Sequence, residues 1–273
     1  MSAWPQTLIL VGAGKMGGAM LRGWLAGGLP AAGVTLIDPA PAPDMLALAA
    51  SHGLTLNPAN DCLAPPDVLV LAVKPQMLDS AAPRLERLAG SETMALSIMA
   101  GKTIADIQAR LPKTRAFVRV MPNTPAAVGK GAAAGFANGA VDARQRAWAE
   151  QLMRTVGMFD WVADEGLIDA VTAISGSGPA YVFAMVEAMA RAGEAVGLPA
   201  DLAMRLARAT VEGAGELLFR EPEVPAAQLR VNVTSPGGTT AAALAVLQGE
   251  DGLDTLMARA AAAAFRRARE LAG

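Results

Sequence analysis

Histidine, cysteine and tyrosine each occur once in this 273-residue chain, as His52, Cys62 and Tyr181. A single cysteine excludes an internal disulfide and a cysteine-rich metal site, and it fits a reducing compartment. A single histidine leaves too few ligands for a zinc centre built from His and Cys. A Ser-His-Asp triad would have to use His52, and no G-x-S-x-G elbow accompanies it. All three lone residues therefore read as structural. Lysine stops at Lys130, so the second half of the chain has none. Aromatics reach only 4% although 53% of the residues are hydrophobic. The apolar weight falls on Ala, Leu, Val and Met, which suits closely packed helices. Net charge is −2, with no basic run or stripe, which argues against a nucleic-acid partner. No uncharged apolar stretch free of turn-formers approaches the ~18 residues of a membrane span. The best candidate is interrupted by Glu187 and Arg191. The N-terminus lacks a basic region followed by a cleavable apolar run. These absences predict a soluble cytoplasmic protein with no metal, nucleic-acid or membrane partner, and room for one large or two ordinary domains.

What is present is patterned. Thr7–Val11 (TLILV) is a short apolar run that breaks into Gly12-Ala13-Gly14-Lys15-Met16-Gly17, after which apolar residues recur at helical spacing. A second run, Val34–Asp38, ends in an acid 21 residues beyond Gly17. Strand, glycine turn, helix, strand and acid in that order form the dinucleotide fingerprint. In it Gly12 makes the tight turn, Gly14 lets a pyrophosphate approach bare backbone, and Gly17 lets helix press on strand. Further strands are expected near 68–73, 93–99 and 115–121, separated by helices near 42–52, 79–89 and 103–110. Near-continuous apolar strands alternating with helices predict a parallel sheet covered on both faces. Ligands bind at strand C-termini in such sheets, which draws attention to Lys74-Pro75-Gln76, Ala100-Gly101-Lys102 and Pro122-Asn123-Thr124-Pro125. Runs 132–137 and 158–162 extend the sheet. The predicted class is α/β, a Rossmann-type parallel sheet over residues 1–164 followed by an all-helical domain over 165–273.

In that second domain Leu167–Ile174 is amphipathic and ends in Ser175-Gly176-Ser177-Gly178-Pro179, where proline opens a helix over 179–196. Helices over 200–219, 241–248 and 251–271 follow. Small residues (Ala188, Ala192, Ala195; Ala203, Ala207, Gly213) offer faces for close helix approach. A helical domain so poor in aromatics has little to bury alone, and its apolar faces are expected to pair with a second copy. Between helices lies Ser235-Pro236-Gly237-Gly238-Thr239-Thr240, a cluster of hydroxyls and bare amides at a helix start. Unpaired N–H groups and the helix dipole make it an anion cradle, with a carboxylate the natural guest. Moving hydride to or from an alcohol needs a proton-handling His, Lys or Tyr. None lies near this cradle in sequence, and Tyr181 has no lysine four residues on. Reducing a protonated imine demands less, and the hydroxyl of Thr240 would suffice to orient the ring nitrogen.

Taken together, Gly12–Gly17, Ala72-Val73-Lys74-Pro75-Gln76, Val120–Pro125, Ile174–Tyr181 and Val233–Thr240 resemble pyrroline-5-carboxylate reductase over nearly the whole chain. The resemblance implies NAD(P)H-dependent reduction of L-1-pyrroline-5-carboxylate to L-proline, by homodimers that are often assembled into larger rings. It implies that Ser235 and the amides of Gly238, Thr239 and Thr240 hold the substrate carboxylate, with Thr240 meeting the ring nitrogen as the catalytic group. Asn232, Glu223 and, more weakly matched, Glu165 would lie near the substrate. Gly12, Ala13, Gly14, Lys15, Met16, Gly17, Asp38, Asn60, Ala72, Val73, Lys74, Pro75, Ala100 and Asn123 would line the cofactor. Members commonly favour NADPH, with small polar or basic residues after the second strand. Here Asp38-Pro39-Ala40-Pro41 stands in that place, so NADH is expected to be favoured. Two alternatives stay open at this point. One is a β-hydroxyacid dehydrogenase-like oxidoreductase, although that class uses a lysine in its helical part. The other is a nucleotide-binding protein without turnover.

Overall fold

The structure, a computed structural model, describes residues 4–59 and 63–272. By internal contacts the chain divides into two compact units, Met1–Ser177 with Ala264–Gly273, and Gly178–Ala263.

The first unit is built on one sheet. Its strands are β1 (Leu8–Val11), β2 (Val34–Ile37), β3 (Thr55–Leu56), β4 (Val68–Leu71), β5 (Met94–Ser97), β6 (Ala116–Met121), β7 (Gly131–Ala137) and β8 (Gly157–Trp161), in the order β3-β2-β1-β4-β5-β6-β7-β8. Strands β1 to β6 are mutually parallel, and β1 pairs with both β2 and β4. The chain therefore works outward from β1 in one direction, then restarts on its other side, leaving a crevice at the C-terminal ends of β1 and β4.

Side chains alternate across each strand, and both faces are buried. Leu8, Leu10, Val68 and Val70 face one core with Met20, Trp24, Met45 and Leu152. Ile9, Val11, Leu69 and Leu71 face the other with Leu78, Leu85, Leu88, Ile104 and Ile107. The covering helices on the first face include α1 (Lys15–Ala26), α2 (Pro43–His52) and α5 (Ala143–Arg154), and on the second α3 (Leu78–Leu88) and α4 (Ile104–Gln108). Trp24 ties α1 to α5 by donating from Nε1 to the Leu152 carbonyl at 2.8 Å.

Two features depart from the expected uniform parallel sheet. Strand β7 runs antiparallel to β6, because the intervening residues 122–130 hold only a 3-10 turn at Thr124–Val128, too short for a parallel crossover. Strand β3, only a two-residue pairing with β2, carries too little pattern to be seen in sequence.

Beyond β8, α6 (Leu167–Val171) passes into a π-helical turn at Thr172–Gly176. The expected break at Ser175-Gly176 is thus a widened helical turn, with Gly176 packed so closely on Met121 that an added Cβ would lie 2.6 Å from its Cε. The second unit contains α7 (Gly178–Ala195), α8 (Ala200–Arg220), α9 (Ala226–Asn232), α10 (Thr239–Leu247) and the start of α11 (Leu253–Ala272). Helices α7 and α8 pack together through Ala190, Gly193, Ala203 and Ala207. On α7 this is a different stripe from the Ala188/Ala192/Ala195 face expected from sequence, and those three alanines are exposed.

Candidate active site

At the crevice between β1 and β4, Gly12 adopts φ +93°, and a Cβ there would lie 2.7 Å from the Ala72 carbonyl oxygen. Only glycine lets the turns after β1 and β4 touch in this way. Gly17 packs its Cα on the Gly12 carbonyl with no room for a side chain. A Cβ on Gly14, by contrast, would meet nothing within 4 Å, so this backbone faces open space. The first intrahelical bond of α1 is Gly18 N–H to Gly14 O, at 2.8 Å. The amides of Lys15, Met16 and Gly17 before it have no partner among the described residues. Unpaired donors at a helix start, beside open space, suit a pyrophosphate. The residues present therefore fit a dinucleotide.

Asp38 follows β2, and its carboxylate spans two turns. Oδ2 accepts from the Ala13 amide at 2.7 Å, and Oδ1 accepts from the Ala40 amide at 2.9 Å. The nearest basic residue in sequence, Arg22, is engaged elsewhere, 3.0 Å from Asp44. Ala72, Val73, Lys74 and Pro75 form the turn after β4, with Lys74 exposed and its carbonyl accepting from Met77 N–H at 2.8 Å. Ala100 lies in the turn after β5, ahead of a capping box in which Thr103 and Asp106 close the start of α4. Burial acts to raise the Asp106 carboxyl. Hydrogen bonds from the Thr103 amide and hydroxyl, with Lys102 and Arg110 nearby, outweigh it and hold Asp106 below the usual aspartate value. Asn60 lies outside the described residues.

Two candidates turn out to be engaged in the frame of the first unit. Asn123 is buried; its Oδ1 accepts from Ala132 N–H at 2.8 Å, and its Nδ2 donates to the Ser175 carbonyl at 3.0 Å, in the π-helical turn. Glu165 accepts from the Ile104 amide at 2.7 Å and lies 3.2 Å from Arg119. The Arg119 side chain is 4% exposed and also pairs with Asp169 at 3.5 Å. A charged residue in the apolar run Phe117–Met121 costs too much to bury unpaired. A lone arginine inside an apolar strand thus signals a nearby acid even in the sequence, although no motif contains it.

The cradle is in the second unit. Ser235, Pro236, Gly237 and Gly238 form a β-turn closed by Gly238 N–H to the Ser235 carbonyl at 3.1 Å, with Gly237 at φ +70°. Proline followed by a positive-φ glycine is the requirement of a type II turn. Gly238 is the N-cap of α10, and a side chain on it would strike Ser235 Oγ. The first bond into α10 is Ala242 N–H to the Gly238 carbonyl. Thr239, Thr240 and Ala241 therefore present amides without a partner among the described residues, while the Gly238 amide is used by the turn. The hydroxyls of Ser235 and Thr240 likewise have no partner there. Asn232 ends α9 and accepts from Gln228 Nε2 at 2.8 Å, and Glu223 lies exposed between α8 and α9. No cluster of His, Cys, Asp or Glu able to hold a metal occurs among the described residues.

Residues 165–271 match the family model described as pyrroline-5-carboxylate reductase dimerisation, and residues 7–101 match that of NADP oxidoreductase, coenzyme F420-dependent. A pyrroline-5-carboxylate reductase of Pseudomonas aeruginosa is 41% identical, the alignment covering 97% of this chain and 96% of that one. The chain belongs to the pyrroline-5-carboxylate reductase family. A Pisum sativum pyrroline-5-carboxylate reductase is 39% identical over 97% of this chain and 96% of its own length. The solved Coxiella burnetii pyrroline-5-carboxylate reductase superposes with a TM-score of 0.89 at 37% identity, covering 98% of this chain and 99% of that one. A Plasmodium falciparum pyrroline carboxylate reductase, solved with NADP bound, gives 0.79 at 28% identity and 98% coverage of both chains. Membership in the pyrroline-5-carboxylate reductase family also bears on Leu167–Ala195. This helical run is long and apolar enough by composition to cross a membrane, yet it falls inside the segment matched as a dimerisation region.

Proposed function

We propose that this chain reduces L-1-pyrroline-5-carboxylate to L-proline with a nicotinamide cofactor, as the last step of proline biosynthesis. The observation that carries the mechanism is the pairing of a bare helix start, free at Thr239, Thr240 and Ala241, with the unpartnered hydroxyls of Ser235 and Thr240. The substrate carboxylate accepts from these amides and from Ser235, a charge-assisted arrangement favoured by the helix dipole. Thr240 Oγ1 accepts from the protonated imine N–H and holds the C=N bond in orientation. When bound, the reduced nicotinamide supplies a hydride to the imine carbon. The nitrogen already carries its proton, so the product amine forms without a general acid, consistent with the absence of lysine and histidine from residues 131–273. Asn232 and Glu223 complete the proposed substrate-binding set, and Glu165 is engaged within the first unit by the Ile104 amide and Arg119.

Gly12–Gly17 carry the cofactor pyrophosphate, with Asp38, Ala72–Pro75, Ala100 and the Asn123 turn along the rest of the molecule. Asp38 can accept from both ribose hydroxyls and repels a 2′-phosphate, so NADH is preferred even though the Plasmodium relative was solved with NADP. The functional division falls at residues 164 and 165. The exposed apolar side chains of α7 and α8, Phe183 and Leu206 among them, are covered by a second copy. The assembly is a cytoplasmic homodimer, itself a building block for larger rings.

A steady-state assay of NADH and NADPH oxidation against pyrroline-5-carboxylate and a panel of 3-keto acids tests the reading. Oxidation is expected only with the cyclic imine, with higher kcat/KM for NADH. Turnover of a 3-keto acid and none of the imine would overturn it in favour of a β-hydroxyacid dehydrogenase-like activity.

A further inference from the structure

Asn57 is the one non-glycine residue among those described with positive φ, at +46°. It stands directly after β3, where its own amide donates to the Leu36 carbonyl at 2.9 Å. Asparagine tolerates this left-handed conformation better than most residues, and no tight turn here demands it. Its side chain explains the conformation. Oδ1 accepts from the Asp38 amide at 2.9 Å, and Nδ2 donates to the Asp38 carbonyl at 2.7 Å. The carboxamide thus takes the part of a peptide group, continuing the β2–β3 ladder one residue past the end of β3. Without it, both backbone groups of Asp38 would lose these partners just before Pro39, which cannot extend the strand.

The consequence is a relay of fixed positions. Asn57 holds the Asp38 backbone; the Asp38 carboxylate then holds the Ala13 amide in the glycine turn and the Ala40 amide beyond. An acid that discriminates between a ribose hydroxyl and a phosphate does so only if it cannot swing away from the phosphate. Repulsion that the side chain can evade by moving yields little selectivity.

We propose that Asn57 is a specificity-positioning residue: it locks Asp38 against the glycine turn and so enforces the preference for NADH over NADPH. This rests on the reading of Asp38 given above. It assigns Asn57 no contact with substrate or reacting atoms.

The test compares kcat/KM for the two cofactors, and their dissociation constants from fluorescence titration, in wild type, Asn57→Gly, Asp38→Ser and the double variant. Glycine accepts the backbone conformation and removes only the clamp, so thermal stability reports separately on folding. Asn57→Gly is expected to narrow the NADH:NADPH ratio about fivefold, the equivalent of roughly one net hydrogen bond, through stronger NADPH binding. In the Asp38→Ser background the same substitution is expected to leave the ratio unmoved, since its effect passes through the acid. If Asp38→Ser shifts the ratio and Asn57→Gly does not, the positioning role is overturned and the Asp38 reading stands. If the wild type favours NADPH, the Asp38 reading falls and the Asn57 role with it. An equal shift from Asn57→Gly in both backgrounds would also overturn the proposal, by showing an effect independent of Asp38.

Discussion

In the sheet unit, Leu10, Leu36, Leu69, Leu71, Leu85 and Trp24 are wholly withdrawn from solvent, and two cores sandwich the strands. In residues 178–263 the fully buried apolar residues are three alanines, Ala190, Ala203 and Ala207, while Phe183, Leu217, Leu218, Phe219 and Val246 are exposed. The two regions are apolar for different reasons. The first spends its large side chains on its own interior. The second keeps small residues for contact between its helices and presents the large ones outward, as a surface awaiting a partner does. The first unit carries its own core, whereas the second is expected to draw part of its stability from assembly.

A charge on the exposed apolar face should have the largest effect. Phe183, 62% exposed, lines the groove between α7 and α8. Phe183→Asp should cost roughly 2–4 kcal/mol as an interface anchor lost and a charge buried. Light scattering behind a sizing column should then show the 27.9 kDa chain in the variant and a multiple of it in wild type. Variant and wild type with the same oligomeric mass would remove Phe183 from the interface.

Leu69→Ala, in the sheet core, should destabilise by about 2–5 kcal/mol through lost transfer energy and a residual cavity. That loss should be the same at all protein concentrations. The loss from Phe183→Ala should instead depend on concentration, because assembly contributes by mass action. Thermal melts over a hundredfold dilution series distinguish the two.

Within the helical unit, Thr240→Ala should lower kcat more than it raises KM, by about 1–3 kcal/mol of transition-state stabilisation. Ser235→Ala should act mainly on KM, because a carboxylate contact persists in substrate and transition state alike. Wild-type steady-state kinetics in Thr240→Ala would take its hydroxyl out of the site.

The smallest effect belongs to the capping box of α4. Thr103→Ala should cost about 1 kcal/mol. Asp106 is held below the usual aspartate value in the fold, so its contribution is full above the unfolded value and is lost as pH falls through the folded one. Denaturant titrations at descending pH should show that loss in wild type and not in Asp106→Asn.

Much of this was legible in the residues. Alternating apolar runs marked the strands because a parallel sheet buries both faces. The glycine turn and the Ser235–Thr240 entrance announced themselves because bare backbone at a helix start is costly unless used. What stayed hidden depended on distant pairing. The reversed direction of β7 follows from the shortness of residues 122–130, which only the topology reveals. Asn123 read as a strand-end ligand group, and its two hydrogen bonds to Ala132 and Ser175 could not be seen before β7 and the π-helical turn were in place. Asn57 carried no motif at all, because its role is to complete a ladder whose last strand is two residues long.

The proposed chemistry is hydride transfer to the carbon of a cyclic imine, which an isotope label follows atom by atom. The protein is incubated with pyrroline-5-carboxylate and NADH carrying deuterium at the transferable position, and the product is read by mass spectrometry and proton NMR. The expected product is L-proline with a single deuterium on the ring carbon that was the imine carbon. Full cofactor and substrate recovery with no proline formed, or proline carrying no deuterium at that carbon, would contradict it.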